Sequence, residues 1–166
     1  MTMLDARAKR SLPLAINLSA RSMESHVFGR ALIALLDRFP NMRGQLMFEL
    51  TESAAITDPE PVAGLIETLR KRTYKVCLDD FGSGAAAFHY LRAFTFDYVK
   101  IDGLYVSSTG KRDHGILKGM TALCRELGVI SVAEMIETRG QADRLRRLGI
   151  DLGQGYFFGK PASSLD

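Results

Sequence analysis

Six short apolar runs in this chain each end in a polar residue, and the residues at those ends are Asn17, Glu49, Asp79, Lys100, Glu134 and Gln154. The runs are Leu14-Ala15-Ile16, Leu46-Met47-Phe48, Val76-Cys77-Leu78, Tyr98-Val99, Val129-Ile130-Ser131-Val132-Ala133 and the stretch before Gln154. Segments with helical spacing separate them. Strand and helix therefore alternate, which predicts an α/β fold with a parallel sheet and crossover helices. In such sheets ligands meet the carboxyl ends of the strands, so a succession of polar strand ends predicts a catalytic face.

Length narrows the architecture. A complete eight-unit α/β barrel takes roughly 250 residues and seldom fewer than about 200, whereas this chain has 166. About six βα units are left, a barrel that is truncated or open. No linker or low-complexity segment interrupts them, so residues 1–166 read as one domain. The first ten residues carry charges where a signal peptide needs an apolar core, and no apolar run approaches the roughly 18 residues of a membrane span, which predicts a cytoplasmic protein. Cys77 and Cys124 fall on apolar faces and read as small core residues, not as a disulfide or metal pair.

Several helices announce themselves. Met23, Val27, Phe28, Ala31, Leu32, Leu35, Leu36 and Phe39 recur at helical spacing and predict one core-facing helix ending at Pro40-Asn41. Asp58 and Pro59 open the next helix as N-cap and first residue, with Val62, Leu65, Ile66 and Leu69 as its stripe. A short helix follows Gly82-Ser83-Gly84, and another runs from about Arg112 to Leu127 and stops at Gly128. In the last helix Thr138 and Gln141 make a capping box, Ala142, Leu145 and Leu148 the stripe, and Gly149 the stop. The Arg70-Lys71-Arg72 and Arg144–Arg147 clusters fall in last turns, where cations complement the helix dipole. A net charge of +3 suits an anionic ligand. No basic stripe with interleaved aromatics is present, so DNA is not an expected partner.

Glu49, Glu52, Asp79, Asp80, Glu134 and Glu137 cluster at the strand ends. Carboxylates brought together repel unless a cation joins them, and an oxygen-only set without histidine calls for Mg²⁺, Mn²⁺ or Ca²⁺, not zinc. Such ions commonly work in pairs that activate water and clamp a phosphate. Each carboxylate taken alone also reads as an N-cap. Asp79-Asp80-Phe81-Gly82-Ser83-Gly84 is the sharpest motif: two adjacent acids can face two metals, and Gly82 and Gly84 let the backbone turn tightly. Lys100 positions a water or phosphate oxygen, or neutralises the acids. His26, His89 and His114 share no ligand spacing and read as helix or surface residues.

Taken in order, Ile16-Asn17-Leu18-Ser19-Ala20, Phe48-Glu49-Leu50-Thr51-Glu52-Ser53, Asp79-Asp80-Phe81-Gly82-Ser83-Gly84, Val99-Lys100-Ile101-Asp102, Val132-Ala133-Glu134-Met135-Ile136-Glu137-Thr138 and Gln154–Pro161 resemble the motifs of bacterial EAL-domain cyclic-di-GMP phosphodiesterases. The resemblance implies a TIM-like (β/α) barrel that hydrolyses cyclic-di-GMP to linear pGpG with two Mg²⁺ or Mn²⁺ ions. By motif, Asn17, Glu49, Asp79, Asp80 and Glu137 resemble metal ligands, Asp79 being shared between the ions. Lys100 resembles the residue that holds the attacking water and Glu134 the general base. Glu52 resembles the residue that steadies the loop of Gly82 to Gly84, and Gln154 a residue of the metal surroundings.

Two departures stand out. The family's Glu-Ala-Leu motif, whose glutamate is a metal ligand, has no counterpart, nor do the two leading strands and their helices. The expectation is therefore a partial EAL-type domain whose two-metal site is one ligand short. By itself it would be inactive, and it would partner with a second copy, with the missing barrel half, or with signalling domains of a longer protein. Met135 stands where the family usually has glycine, and its side chain would crowd a close backbone approach. A catalytically degenerate module that binds cyclic-di-GMP or a protein is the alternative, and an unrelated divalent-metal barrel enzyme is a third reading.

Overall fold

In a computed structural model, residues 14–51, 56–84 and 86–160 are described. Glu52, expected to steady the glycine loop, lies outside them. The described residues form two compact units that divide within β4, residues up to 99 and residues from 100.

In the first unit, β1 (Leu14–Leu18), β2 (Leu46–Thr51) and β3 (Lys75–Phe81) are parallel neighbours. Leu46 to Leu50 of β2 and Val76 to Asp79 of β3 are buried without alternation, as strands covered on both faces must be. β4 (Tyr98–Ile101) begins beside β3, where the Asp97 N–H donates to the Val76 carbonyl at 2.8 Å. The expected first helix is two helices, α1 (Ala20–Met23) and α2 (His26–Asp37). Serine breaks them apart: the Ser25 hydroxyl accepts the Phe28 N–H and caps α2. Glu24, at the break, is held by the N–H groups of Thr57 and Asp58 at 2.5 and 2.7 Å. Nor does the whole stripe face the core. On α2 only Leu36 is buried, while Val27 is 70% and Leu35 50% exposed. A 3₁₀ turn (Pro40–Met42) follows. α3 (Pro59–Lys71) is as expected, Asp58 accepting the Glu60 N–H at 3.2 Å and Val62, Leu65, Ile66 and Leu69 buried. α4 (Ala87–Ala93) is the short helix after the glycine loop.

The second unit starts at Lys100. After β4 comes α5 (Gly103–Ser107), a helix absent from the sequence expectations; Asp102 caps it by accepting the Leu104 N–H at 2.7 Å. α6 (Lys111–Glu126) buries Leu117, Met120, Thr121 and Cys124. β5 (Ile130–Ala133) and β6 (Leu152–Gly153) are parallel neighbours, with α7 (Arg139–Leu148) between them in sequence. The α7 capping box is formed on both sides, and Gly149 ends the helix at φ 86°. Arg144 is no mere dipole charge: its guanidinium donates to the carbonyls of Val106 and Ser108 at the end of α5. Asp151 accepts the N–H and hydroxyl of Ser131, tying the start of β5 to the turn before β6.

Among the described residues the six strands follow chain order, and β1 and β6, the first and last, each have one hydrogen-bonded neighbour, so that sheet is open. Both cysteines are buried and the three histidines are exposed on helices. No helix among the described residues is long and apolar enough to cross a membrane.

Candidate active site

The first unit gathers its chemistry at the carboxyl ends of β1 to β3. The register sets Asn17 level with Glu49 and Glu49 level with Cys77. Asp79 lies two residues beyond Cys77, hence on the same face and one pleat further along. Glu49 and Asp79 are buried, flanked in sequence by Phe48, Leu50 and Leu78, whereas Asn17 is exposed. Strand alternation would send Asp79 and Asp80 to opposite faces. Asp80 breaks it by adopting φ 58°, a left-handed conformation that aspartate tolerates better than most residues. Carboxylate oxygens of Asp79 and Asp80 consequently lie within 4.8 Å of one another. Asp79 Oδ1 accepts the Asp80 N–H at 3.1 Å, and the Ser83 N–H closes the turn on the Asp80 carbonyl at 3.0 Å. Gly82 sits in that turn at φ 101°, where a side chain would be strained, and Gly84 is exposed just beyond it. Two like charges about 4 Å apart repel by about 1 kcal/mol in water and about 4 kcal/mol near a protein surface. A hard divalent cation with oxygen ligands relieves that repulsion, so the donor set fits such an ion.

The second unit holds an ion pair of its own. Lys100, in β4, and Glu134, directly after β5, meet at 2.8 Å between Nζ and Oε1, with side chains only 9% and 18% exposed. Their backbones are tied as well, the Glu134 N–H donating to the Ile101 carbonyl at 3.4 Å. The segment after Glu134 is locked to the one after β6. The Ile136 N–H donates to the Gln154 carbonyl at 3.0 Å, and the Phe157 N–H donates to the Ile136 carbonyl at 2.9 Å. Gly155 makes this approach possible: at φ 152° a Cβ there would collide with the backbone nitrogen and oxygen of Ile136. Glu137 and Gln154 are exposed, and the bonds that hold them in place are made by backbone, Glu137 through its N–H to Gln141 Oε1 at 2.9 Å.

Met135 takes φ 54° and lies against Gly103, the first residue of α5. Sequence reasoning flagged Met135 but passed over Gly103. The signal was there, a glycine three residues after Lys100 opening a segment with no other helix breaker.

Against known proteins, the EAL domain family model matches residues 1–161. The chain belongs to the EAL domain family. It is 36% identical to the cyclic di-GMP phosphodiesterase PdeB of Shewanella oneidensis over 89% of this chain and 18% of that protein. Among solved EAL structures it resembles the EAL domain of Mycobacterium smegmatis DcpA at 30% identity and TM-score 0.81, covering 90% of this chain and 68% of that one. It also resembles the PaMucR phosphodiesterase in complex with c-di-GMP at 30% identity and TM-score 0.78, covering 90% of this chain and 61% of that one. The EAL chain thus spans under a fifth of PdeB and about three fifths of PaMucR. Its fold is the α/β, TIM-like type of these relatives, with the sheet open.

Proposed function

We propose that this EAL domain serves metal-dependent hydrolysis of cyclic-di-GMP to the linear dinucleotide pGpG, in the cytoplasm and as part of a larger signalling protein. The observation that carries the reading is the Lys100–Glu134 pair, a cation and a carboxylate held 2.8 Å apart at the strand ends of a chain whose relatives are phosphodiesterases. Asn17, Glu49, Asp79, Asp80 and Glu137 would hold two Mg²⁺ or Mn²⁺ ions. Such ions supply charge to make water acidic and to neutralise the phosphate.

The chain's own residues do the rest. Glu134 accepts the proton of the water that attacks phosphorus, and Lys100 holds the water oxygen and the carboxylate in line. The new bond joins the water oxygen to phosphorus. The bond from phosphorus to the ribose 3′ oxygen breaks, that oxygen takes a proton from solvent, and Glu134 returns its proton to solvent. The side chains of Lys100 and Glu134 are only 9% and 18% exposed, which limits the screening of their charges by bulk water.

The test is separation of cyclic-di-GMP from pGpG after incubation with the protein that carries this chain, in Mg²⁺ or Mn²⁺. Glu134→Gln keeps the shape and removes the proton acceptor, so kcat falls about 10²- to 10⁴-fold while cyclic-di-GMP still binds. Wild-type turnover in Glu134→Gln overturns the assignment. Saturable binding with no turnover by the wild type would instead establish a module that binds without hydrolysing.

A further inference from the structure

We propose that Met135 is a positioning residue for Glu134, acting through its seat on the bare Cα of Gly103. What Glu134 does rests on the phosphodiesterase reading; the packing does not. Met135 stands between two anchored neighbours. Glu134 is fixed to β4 by its N–H and by Lys100, and Ile136 is fixed by both its N–H and its carbonyl to the segment after β6. Closing the chain between those anchors leaves Met135 at φ 54°, a conformation that a long side chain keeps only where its surroundings over-determine it.

The other half of that constraint is Gly103. A Cβ added there would lie 2.9 Å from Met135 Cβ, 2.7 Å from Cγ, and in collision with Sδ. Met135 therefore fills the volume that any side chain at position 103 would need. Because its own Cβ is among the close atoms, it cannot make room by a rotamer change alone. Gly103 is buried beneath it, while Met135 is 63% exposed on its outer side. Gly103 follows Lys100 by three residues, and Asp102 between them is fixed as the cap of α5. The contact thus clamps the turn after Glu134 to the turn after Lys100. Beyond the strands, the backbone joins these segments through the Glu134 N–H and the Ile101 carbonyl, a long bond at 3.4 Å, and the packing of Met135 on Gly103 adds a second constraint on the separation of the pair.

The readout is the Lys100 ammonium signal in ¹⁵N-lysine-labelled protein, identified by its loss in Lys100→Arg. In the wild type it exchanges slowly because the pair is buried. Met135→Gly and Gly103→Ala each shift or broaden it. The combined Met135→Gly/Gly103→Ala protein, whose added methyl occupies the vacated volume, moves it back toward wild type, and Met135→Leu leaves it in place. In hydrolysis, each disruptive single change lowers kcat about tenfold with KM within about twofold, and the combination regains most of the loss. A Lys100 signal indifferent to Met135→Gly, or a combined change equal to the sum of the singles, overturns the proposal. Should Gly103→Ala fail to fold, the contrast between Met135→Gly and Met135→Leu decides alone. A lysine signal that follows the cycle in a protein without turnover sinks the phosphodiesterase reading and leaves the positioning role standing. Turnover with a signal that ignores the cycle does the reverse.

Discussion

Asp97 is where single-residue electrostatics are most exposed to measurement. Burial pushes its carboxyl upward, but Lys75 at 3.0 Å, the Val76 N–H at 3.1 Å and Arg70 at 3.1 Å outweigh that and hold it below the usual carboxylate range. A folded-state value below the unfolded one means stability that is present above about pH 4 and lost as pH falls through the folded value. Asp97→Ala is expected to cost about 1–3 kcal/mol in urea unfolding at pH 7, and the deficit should shrink toward pH 3; a deficit independent of pH would show that packing, not charge, is what Asp97 supplies. Cys124 runs the other way. Burial first, and the charge of Asp151 second, push its thiol from 9.0 up to about 11. The neutral thiol therefore contributes stability below pH 9 that is lost as pH rises toward 11, and at pH 8 the folded chain should leave Cys124 unreacted with a disulfide reagent until denaturant is added. The sequence made this thiol's burial legible, because it falls on the stripe of α6. Asp97's partners were not legible: Arg70 read as a last-turn charge, Lys75 carried no signal, and only the fold brings Asp97, just ahead of β4, between them.

Elements were legible in proportion to how much local chemistry specifies them. The capping box of α7, the Asp58-Pro59 start of α3 and the glycine stop at Gly149 are written in adjacent residues and appear as written. α5 has five residues and no stripe, so periodicity had nothing to detect. The division of α1 from α2 was hidden for the opposite reason: an unbroken apolar rhythm masked the cap at Ser25, and the Glu24 bonds to Thr57 and Asp58 at the same break come from across the fold. At the candidate site, the strand-end acids followed from strand period, whereas the left-handed turns at Asp80 and Met135 answer to tertiary constraints. Two substitutions test the local devices. Thr138→Ala removes the α7 cap and is expected to cost about 1 kcal/mol, read by thermal unfolding. Gly155→Ala forces a methyl into the Ile136 backbone and should cost more than Thr138→Ala, lowering the melting temperature further; a milder effect at Gly155 would mean that the β6 segment yields easily.

At the scale of the whole chain, what remains exposed bears on association. Among the described residues β1 has one hydrogen-bonded neighbour, and its first residue, Leu14, is 60% exposed. In the same unit α2 turns Val27 and Leu35 outward instead of burying them. A strand edge offers unpaired N–H and carbonyl groups to any chain that can pair with it, and apolar side chains nearby add a driving force that water opposes weakly. A net charge of +3 gives little mutual repulsion to prevent it. The 166-residue chain is therefore expected to self-associate, its sedimentation coefficient rising with concentration in the micromolar range. Leu14→Lys places a charge on the edge, and Val27→Lys with Leu35→Lys places charges on the helix face. If the edge drives association, Leu14→Lys alone shifts the population to monomer; if the helix face does, only the α2 pair has that effect. The substitutions fall at exposed positions, so melting temperatures close to wild type should accompany the change, separating lost association from lost folding. A wild-type chain that sediments as one monomeric species across that range would refute the expectation and show that the exposed edge is protected by its own neighbourhood.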